Sequence, residues 1–155
     1  ECVENCRQRY AAWQVDIAIR RRAGKKPPLV RADSLHLNEV FANILENAYQ
    51  SFADPRGRID IELDFDEPKD FFRVRITDNG VGIEKDVLPK IFDPFFTTRA
   101  RGTGLGLSVC NQIINLYDGR IDVQSVKGHG TTVTVTLPVH AGMIKDDAAG
   151  DNPSR

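Results

Sequence analysis

The sequence has little excess charge of either sign and no long apolar run. Its 155 residues hold 21 Lys+Arg against 22 Asp+Glu, so the formal net charge is -1. A nearly neutral chain has no overall field that attracts nucleic acid or an anionic membrane surface. Its apolar stretches are shorter than a membrane span requires, and no targeting segment is visible. Any site for a polyanion must therefore be local, and this chain is not expected to contact nucleic acid or membrane directly.

Cysteine is also scarce. The three cysteines, Cys2, Cys6 and Cys110, do not have the spacing of metal ligands. Their odd number and the lack of a secretory segment favour reduced thiols and a cytoplasmic setting. The chain begins with Glu1 rather than Met, which suggests a piece of a longer protein. We expect one domain over residues 1–140 and a disordered tail over residues 141–155.

The spacing of apolar residues predicts an α+β fold. Helical spacing predicts a short helix within residues 2–13, a long helix that begins at Asp33, and a third helix over residues 105–116. Alternation predicts strands over residues 15–19, 58–65, 71–77, 120–126 and 131–137. The second and third strands are joined by a short polar link and should form an antiparallel hairpin. Such a set predicts a two-layer sandwich, with the three helices covering one face of a five-stranded sheet.

Two amides on the long helix are the first candidates for chemistry. Asn43 and Asn47 are four residues apart and lie at the edge of its apolar face. They could be ordinary surface amides. A carboxamide oxygen is also a suitable neutral ligand for Mg²⁺ that already carries phosphates, so the pair could hold a metal–nucleotide complex.

The stretch DNGVGI, residues 78–83, follows the third predicted strand. Gly80 and Gly82 permit positive φ and a close approach of the backbone to a planar ligand. An isolated motif of this kind is more often a plain Asx turn. If Asp78 is buried beside a base, it would accept from an exocyclic amine, and the site would prefer adenine over guanine.

The stretch GTGLGL, residues 102–107, directly precedes the third helix. Its backbone N–H groups and the helix N-terminus could face an anion, although such a cluster alone is a weak signal. Arg99 and Arg101 lie just upstream and could close on phosphates, whereas exposed loop arginines are usually only solvated. Residues 93–104 have no steady period and should form a mobile loop.

Taken together, these motifs resemble the catalytic, ATP-binding domain of two-component sensor histidine kinases. That domain belongs to the superfamily of gyrase, chaperone, histidine kinase and MutL ATPases. The resemblance covers roughly residues 33–138 through five ordered motifs: NEVFANILENA, DNGVGI, IFDPFFTT, GTGLGL and GHGTT. It implies a mixed five-stranded sheet backed by three helices, with ATP and Mg²⁺ as ligands.

The resemblance also implies roles for individual residues. Asn47 would coordinate Mg²⁺ with support from Asn43, and Asp78 would accept from the adenine amino group beside Thr131. Residues 93–104 would form a lid over the triphosphate, anchored by the phenylalanines of IFDPFFTT. The remaining residues implied to contact the nucleotide are Gly80, Gly82, Ile83, Phe92, Phe96, Thr97, Gly102, Thr103, Gly104, Leu105, Gly106 and Leu107.

Two positions depart from patterns within this superfamily. Many sensor kinases carry a basic residue three positions after the metal asparagine, where this chain has Gln50. The expected phosphate-binding charge therefore shifts to Arg99 and Arg101. The gyrase-like ATPases place a water-activating glutamate where this chain has Asn43, and a carboxamide cannot take a proton at neutral pH. Glu46 lies on a different side of the helix and is a doubtful substitute.

ATP should therefore be held for transfer to another nucleophile, as a protein-histidine kinase does. The resemblance implies an acceptor histidine followed by an acidic residue on a dimeric helical-hairpin domain. His36, His129 and His140 do not fit that pattern. The expected partners are an upstream phosphoacceptor domain of the same parent protein and a response regulator. The parent is expected to be a homodimer that could be anchored in the inner membrane. A non-catalytic ATP-sensing module and, less favoured, a hydrolytic gyrase-like ATPase are the alternatives.

Overall fold

A computed structural model describes residues 1–21, 29–66, 70–99 and 102–139. The helices are α1 (Cys2–Arg9), α2 (Ser34–Tyr49) and α3 (Gly106–Leu116), with a 3₁₀ turn at Leu88–Lys90. The strands are β1 (Gln14–Arg21), β2 (Arg56–Asp66), β3 (Phe71–Asp78), β4 (Arg120–Val126) and β5 (Gly130–Pro138). The predicted tail, Arg101 and His140 lie outside the described residues.

The five strands form one mixed sheet in the order β1-β2-β3-β5-β4. The edge strand β1 runs parallel to β2, with Ile17 opposite Ile59, and the other three pairings are antiparallel. The predicted hairpin of β2 and β3 is confirmed, with Ile61 opposite Ile76. The parallel pair is possible because α2 lies between β1 and β2 in the chain.

One face of the sheet is apolar and carries the helices. Ile59, Ile76 and Val135 on neighbouring strands are all buried, as strict alternation along each strand requires. The opposite face carries exposed ion pairs between neighbouring positions, including Arg75 with Glu62. The predicted two-layer α+β fold, with helices over one face, is therefore confirmed.

Helix α2 supplies the centre of the core. Asp33 caps it as predicted, because its Oδ1 accepts from the backbone N–H of Leu35 at 2.7 Å. Ile44, Leu45 and Ala48 of its predicted apolar face are buried, and so are Val40 and Tyr49, which were not expected on that face.

Helix α1 is shorter than predicted and ends at Arg9. Tyr10 leaves the helix and stacks on Tyr49 with 4.7 Å between ring centroids, and Trp13 meets the edge of Tyr10. Aromatic packing therefore replaces the last predicted helical turn. Among the described residues, none of the helices combines the length and apolarity needed to cross a membrane.

Candidate active site

A cleft of about 370 Å³ opens between α2, the end of β3 and the residues that precede α3. Apolar side chains form most of its wall, and two groups of polar side chains lie within it. The lining residues that carry its chemistry are Asn47, Gln50, Ser51, Asp78, Gly82, Ile83, Phe96, Thr97, Arg99, Leu107, Lys127 and Thr131.

Asp78 is the last residue of β3 and is only 6% exposed. Its Oδ1 lies within hydrogen-bonding distance of three donors: Ser51 Oγ at 3.0 Å, the Gly80 N–H at 2.9 Å and the Thr131 N–H at 3.3 Å. Within the described part of the chain, no donor is found for Oδ2. Burial raises the pKa of Asp78, and the three donors oppose that rise. The buried carboxyl therefore keeps one oxygen available to a ligand in the cleft.

At Gly80 and Gly82, the packing of the protein leaves no room for a larger side chain. A Cβ on Gly80 would collide with the side chain of Ser51, and a Cβ on Gly82 would collide with the Val126 carbonyl. Gly82 also has a φ of 67°, a conformation that favours glycine. Both glycines therefore allow the loop after β3 to pack closely on its neighbours.

The Ser125 hydroxyl holds residues around Asp78 in place. This hydroxyl donates to the Gly130 carbonyl at 2.8 Å and accepts from the Ile83 N–H at 2.8 Å. The Thr131 hydroxyl lies 2.9 Å away and donates to it, since the Ser125 hydrogen is already used. Ile83 and Thr131 are thus held around Asp78 by strands β4 and β5.

The second polar group lies on the C-terminal half of α2. Arg99 Nη1 donates to Asn47 Oδ1 at 2.9 Å and to Gln50 Oε1 at 2.6 Å, and Nη2 donates to the Asn47 carbonyl at 3.3 Å. The other cation that lines the cleft, Lys127, pairs with Glu84 at 3.5 Å. The guanidinium therefore lies against the C-terminal end of α2, on Asn47 and Gln50.

Asn43 and the start of α3 lie beside this group rather than in the cleft wall. A Cβ on Gly106 would come within 3.3 Å of Asn43 Oδ1, so this amide faces the first turn of α3. Glu46 faces away, because its Oε1 accepts from Arg9 at 2.9 Å and from the Tyr10 hydroxyl at 3.3 Å. Among the residues that line the cleft, Asp78 is the sole carboxylate.

The segment expected to form the lid is held at its base. The Phe95 N–H donates to the Gly104 carbonyl at 2.9 Å, which brings the two ends of the segment together. Phe92 packs on the core, Phe96 lines the cleft and Phe95 is exposed. Several residues expected to touch the nucleotide do not line the cleft in this structure: Asn43, Gly80, Phe92, Gly102, Thr103, Gly104, Leu105 and Gly106.

Comparison with known proteins identifies the family to which the chain belongs. The family described as "Histidine kinase-, DNA gyrase B-, and HSP90-like ATPase" matches residues 32–141, which include the whole cleft. The chain belongs to this ATPase family. Membership implies that the chain uses a nucleotide.

Curated relatives within the family are sensor kinases. The chain is 44% identical over 112 residues to the signal transduction histidine-protein kinase AtoS of Escherichia coli, covering 72% of this chain and 18% of AtoS. It is 38% identical over 117 residues to sporulation kinase D of Bacillus subtilis, covering 76% of this chain and 22% of that kinase. The chain thus spans about a fifth of the length of these relatives. The resemblance to a sensor histidine kinase catalytic domain is confirmed.

Solved structures of the family share the fold. A mycobacterial sensor histidine kinase, MprB, matches with a TM-score of 0.73 and 26% identity over 89% of both chains. The catalytic domain of histidine kinase ThkA in a nucleotide-free form matches with a TM-score of 0.70 and 28% identity, over 88% of this chain and 84% of that chain.

Sequence reasoning did not select Ser51 or Lys127, which line the cleft, or Ser125, which bonds to the lining residues Ile83 and Thr131. Ser51 could have been found, because it follows Asn43 and Asn47 at the same four-residue spacing. Gln50 was considered only as a position where many sensor kinases carry a basic residue. Ser125 and Lys127 lie on and after β4, where an alternating strand gave no sign that one end meets the cleft.

The cleft is compatible with Mg²⁺ only as a partner of phosphates. The described residues contain no group of three or more His, Cys, Asp or Glu side chains that could hold a metal ion. They offer the carboxamide oxygen of Asn47, which already accepts from a cation. A neutral oxygen of this kind suits Mg²⁺ that keeps waters and phosphate oxygens as its other ligands.

Proposed function

We propose that this domain binds Mg-ATP and donates the γ-phosphoryl group to a histidine on a separate phosphoacceptor domain. The single observation that carries this proposal is the composition of the cleft. A buried carboxylate lies at one end, a neutral amide with an arginine lies at the other, and the described residues of the wall between them include no second carboxylate. The parent protein would be a two-component sensor kinase.

At the adenine end, Asp78 would accept from the exocyclic amine of the base. Oδ2 is available for that bond because the protein's own donors all use Oδ1. Guanine would present a carbonyl oxygen to the carboxylate instead, and the unpaired contact would cost about 1–3 kcal/mol. Gly80, Gly82, Ile83, Phe92, Phe96 and Thr131 are proposed to form the surroundings of the base.

At the phosphate end, Asn47 would ligate Mg²⁺ and Asn43 would support the phosphates or the metal. Arg99, and Arg101 outside the described residues, would neutralise the γ-phosphate. Bound Mg²⁺ supplies charge neutralisation for the transferred group. The amides of the lid and of the start of α3 are proposed to complete the phosphate contacts, through Thr97, Gly102, Thr103, Gly104, Leu105, Gly106 and Leu107.

The lack of a general base at the phosphate end of the described cleft favours transfer over hydrolysis. Phosphoryl transfer needs positioning and charge neutralisation more than a covalent group of the protein. Asn43 replaces the glutamate of the hydrolytic relatives, and Glu46 is engaged with α1. A hydroxide-generating group is therefore missing from the described cleft wall, and water should be a poor acceptor.

The acceptor would be supplied from outside this chain. Of its three histidines, His36 bonds the Tyr117 hydroxyl at 2.7 Å, His129 lies in the turn after β4, and His140 is outside the described residues. A phosphoacceptor domain of a homodimeric parent, a response regulator that takes the phosphate onward, and a cytoplasmic location for this domain all stay predictions.

One assay separates the candidate functions. The domain is mixed with Mg²⁺, γ-labelled ATP and a separately produced phosphoacceptor domain, and protein-bound label and free phosphate are both measured. Acid-labile, base-stable label on the acceptor supports the kinase, and its histidine-to-alanine variant is the control. Steady release of free phosphate alone would indicate a hydrolase. Tight ATP binding with neither product would leave the non-catalytic sensing module.

A further inference from the structure

The side chain of Gln50 joins the lid arginine to helix α1. Its Oε1 accepts from Arg99 Nη1 at 2.6 Å, and its Nε2 donates to the Tyr10 hydroxyl at 3.2 Å. A guanidinium only donates hydrogen bonds, so the carboxamide must turn its oxygen toward Arg99. The amide nitrogen then necessarily faces Tyr10, and the orientation of Gln50 is fixed by its two neighbours.

Tyr10 provides a fixed end for this contact. Its ring stacks on Tyr49, which is buried, with an interplanar angle of 9°. Its hydroxyl donates to Glu46 Oε1 at 3.3 Å, which also accepts from Arg9 at 2.9 Å. Gln50 and Arg99 are both exposed, so neither would hold a fixed position through its own packing.

We propose that Gln50 is a positioning residue that holds Arg99 at the phosphate end of the cleft, with Tyr10 fixing the orientation of Gln50. An acceptor on α2 and a cation on the lid would together replace a basic residue on the helix. The inference rests on the proposed function, because it assigns the charge of Arg99 to the γ-phosphate.

The physical benefit is preorganisation. A free arginine side chain loses up to about 2 kcal/mol of rotamer entropy when a ligand immobilises it. Part of that cost is already met if Gln50 holds the guanidinium before the nucleotide arrives. If Asn47 Oδ1 were to ligate Mg²⁺, Arg99 would lose that acceptor, and its bond to Gln50 would keep the guanidinium at this end of the cleft.

The same contacts could instead keep Arg99 on Asn47 and block the metal ligand. The two possibilities predict opposite changes in ATP affinity. Positioning predicts that loss of the Gln50 contact weakens ATP binding, whereas a blocking contact predicts that it strengthens ATP binding. The sign of the change in affinity therefore decides between them.

The test compares Gln50→Met with Gln112→Met. Gln112 is an exposed glutamine on α3 that does not line the cleft, so it controls for the loss of a surface amide. Affinities for Mg-ATP and Mg-ADP are measured by displacement of a fluorescent nucleotide, and thermal melting checks the fold. Gln50→Met should weaken ATP binding about fivefold, the order expected for one exposed charge-assisted hydrogen bond, and leave ADP binding unchanged. Gln112→Met should change neither affinity.

A second set of variants links the effect to Arg99. Arg99→Ala should cost less in the Gln50→Met background than in wild type, because the two side chains act as a unit. Gln50→Lys should restore ATP affinity to Arg99→Ala by placing the cation on α2. Tyr10→Phe, which removes only the hydroxyl, should weaken ATP binding in the same direction but by less.

The outcomes are distinguishable. Wild-type domain that fails to bind ATP overturns the proposed function itself. If wild type binds ATP but Gln50→Met matches Gln112→Met, or binds ATP more tightly, the positioning role is wrong. Additive losses for Gln50→Met and Arg99→Ala would also overturn it.

Discussion

The adenine end and the phosphate end of the cleft are built in different ways. Asp78 is buried at the end of a central strand, and its donors come from the turn after α2, the loop after β3, and β5. Arg99 is exposed and reaches α2 from the lid segment through hydrogen bonds alone. The packed core fixes the position of Asp78, whereas hydrogen bonds between exposed side chains fix the position of Arg99.

This difference is consistent with the separate tasks proposed for the two ends. Recognition of a base requires a fixed acceptor in a dry environment, which a strand end in the core supplies. Phosphate binding and transfer require charge that can move as the ligand enters and leaves, which a lid supplies. Variants at the first end should therefore affect every adenine nucleotide, and variants at the second should depend on phosphates and metal.

The largest effect is expected for Asp78→Asn. The carboxamide fits the same space, but it can present an N–H group to the exocyclic amine and leave the base unpaired. Affinity for ATP should fall about 100-fold, equivalent to roughly 3 kcal/mol. Titration calorimetry with ATP, ADP and AMP measures the change, and circular dichroism checks the fold. Equal affinity of the variant and wild type for all three nucleotides would contradict the adenine assignment.

A smaller, metal-dependent effect is expected at the other end. Removal of Mg²⁺ with a chelator should weaken ATP binding to the wild-type domain by about tenfold, because Asn47 loses its bridge to the phosphates. Asn47→Ala should bind ATP weakly both with and without the metal. AMP affinity should be the same for both proteins, and a chelator effect that persists in Asn47→Ala would place the metal on other residues.

Ser51→Ala should have a modest effect at the adenine end. Asp78 loses one of three donors, but the Ser51 hydrogen is shared with the Ala48 carbonyl at 2.7 Å. We expect affinities for ATP, ADP and AMP to fall together by about threefold. A loss confined to ATP would mean that Ser51 serves the phosphates instead, and Ser34→Ala, at the exposed start of α2, is the matched control.

The smallest effect concerns pH and stability. The folded-state pKa of Asp78 lies above its ordinary value because the group is buried. The folded protein therefore takes up this proton more readily than the unfolded chain. The resulting stabilisation is fully present below the unfolded pKa and is lost as pH rises through the folded pKa. The difference in free energy of unfolding between wild type and Asp78→Asn, measured from pH 3 to pH 7 by denaturant titration, should show this trend. A pH-independent difference would contradict the raised pKa.

The fold could be predicted from the sequence because each element carries a clear period. The alternation of β3 and β5 and the apolar arc of α2 placed their buried residues correctly, since one face of each must meet the core. Tyr49 was missed because a tyrosine is often only partly buried. Its burial here depends on Tyr10, which stacks on it from the segment that follows α1.

Site residues that lie inside the sequence motifs could be predicted, but the contacts made by residues outside the motifs could not. Asp78 and Asn47 stand in recognisable contexts, and the structure brings both to one cleft. The contacts of Gln50 with Arg99 and Tyr10 join positions 49 and 40 residues apart, so spacing along a helix could not reveal them. Lys127 reaches the cleft, and Ser125 bonds to two of its lining residues, only through the pairing of β4 with β5, which is a property of the sheet.

The hydrogen bond from the Phe95 N–H to the Gly104 carbonyl closes the base of the proposed lid, so the lid could be exchanged without changing the rest of the fold. Because the base of the segment is closed by the backbone, the residues between these two positions can change in number without moving α3 or the phenylalanine anchors. Doubling the length of such a loop costs only about 0.6 kcal/mol in closure entropy. Lids of different length and charge could therefore be grafted between these two positions, so that nucleotide release is tuned while the base-binding end stays as it is.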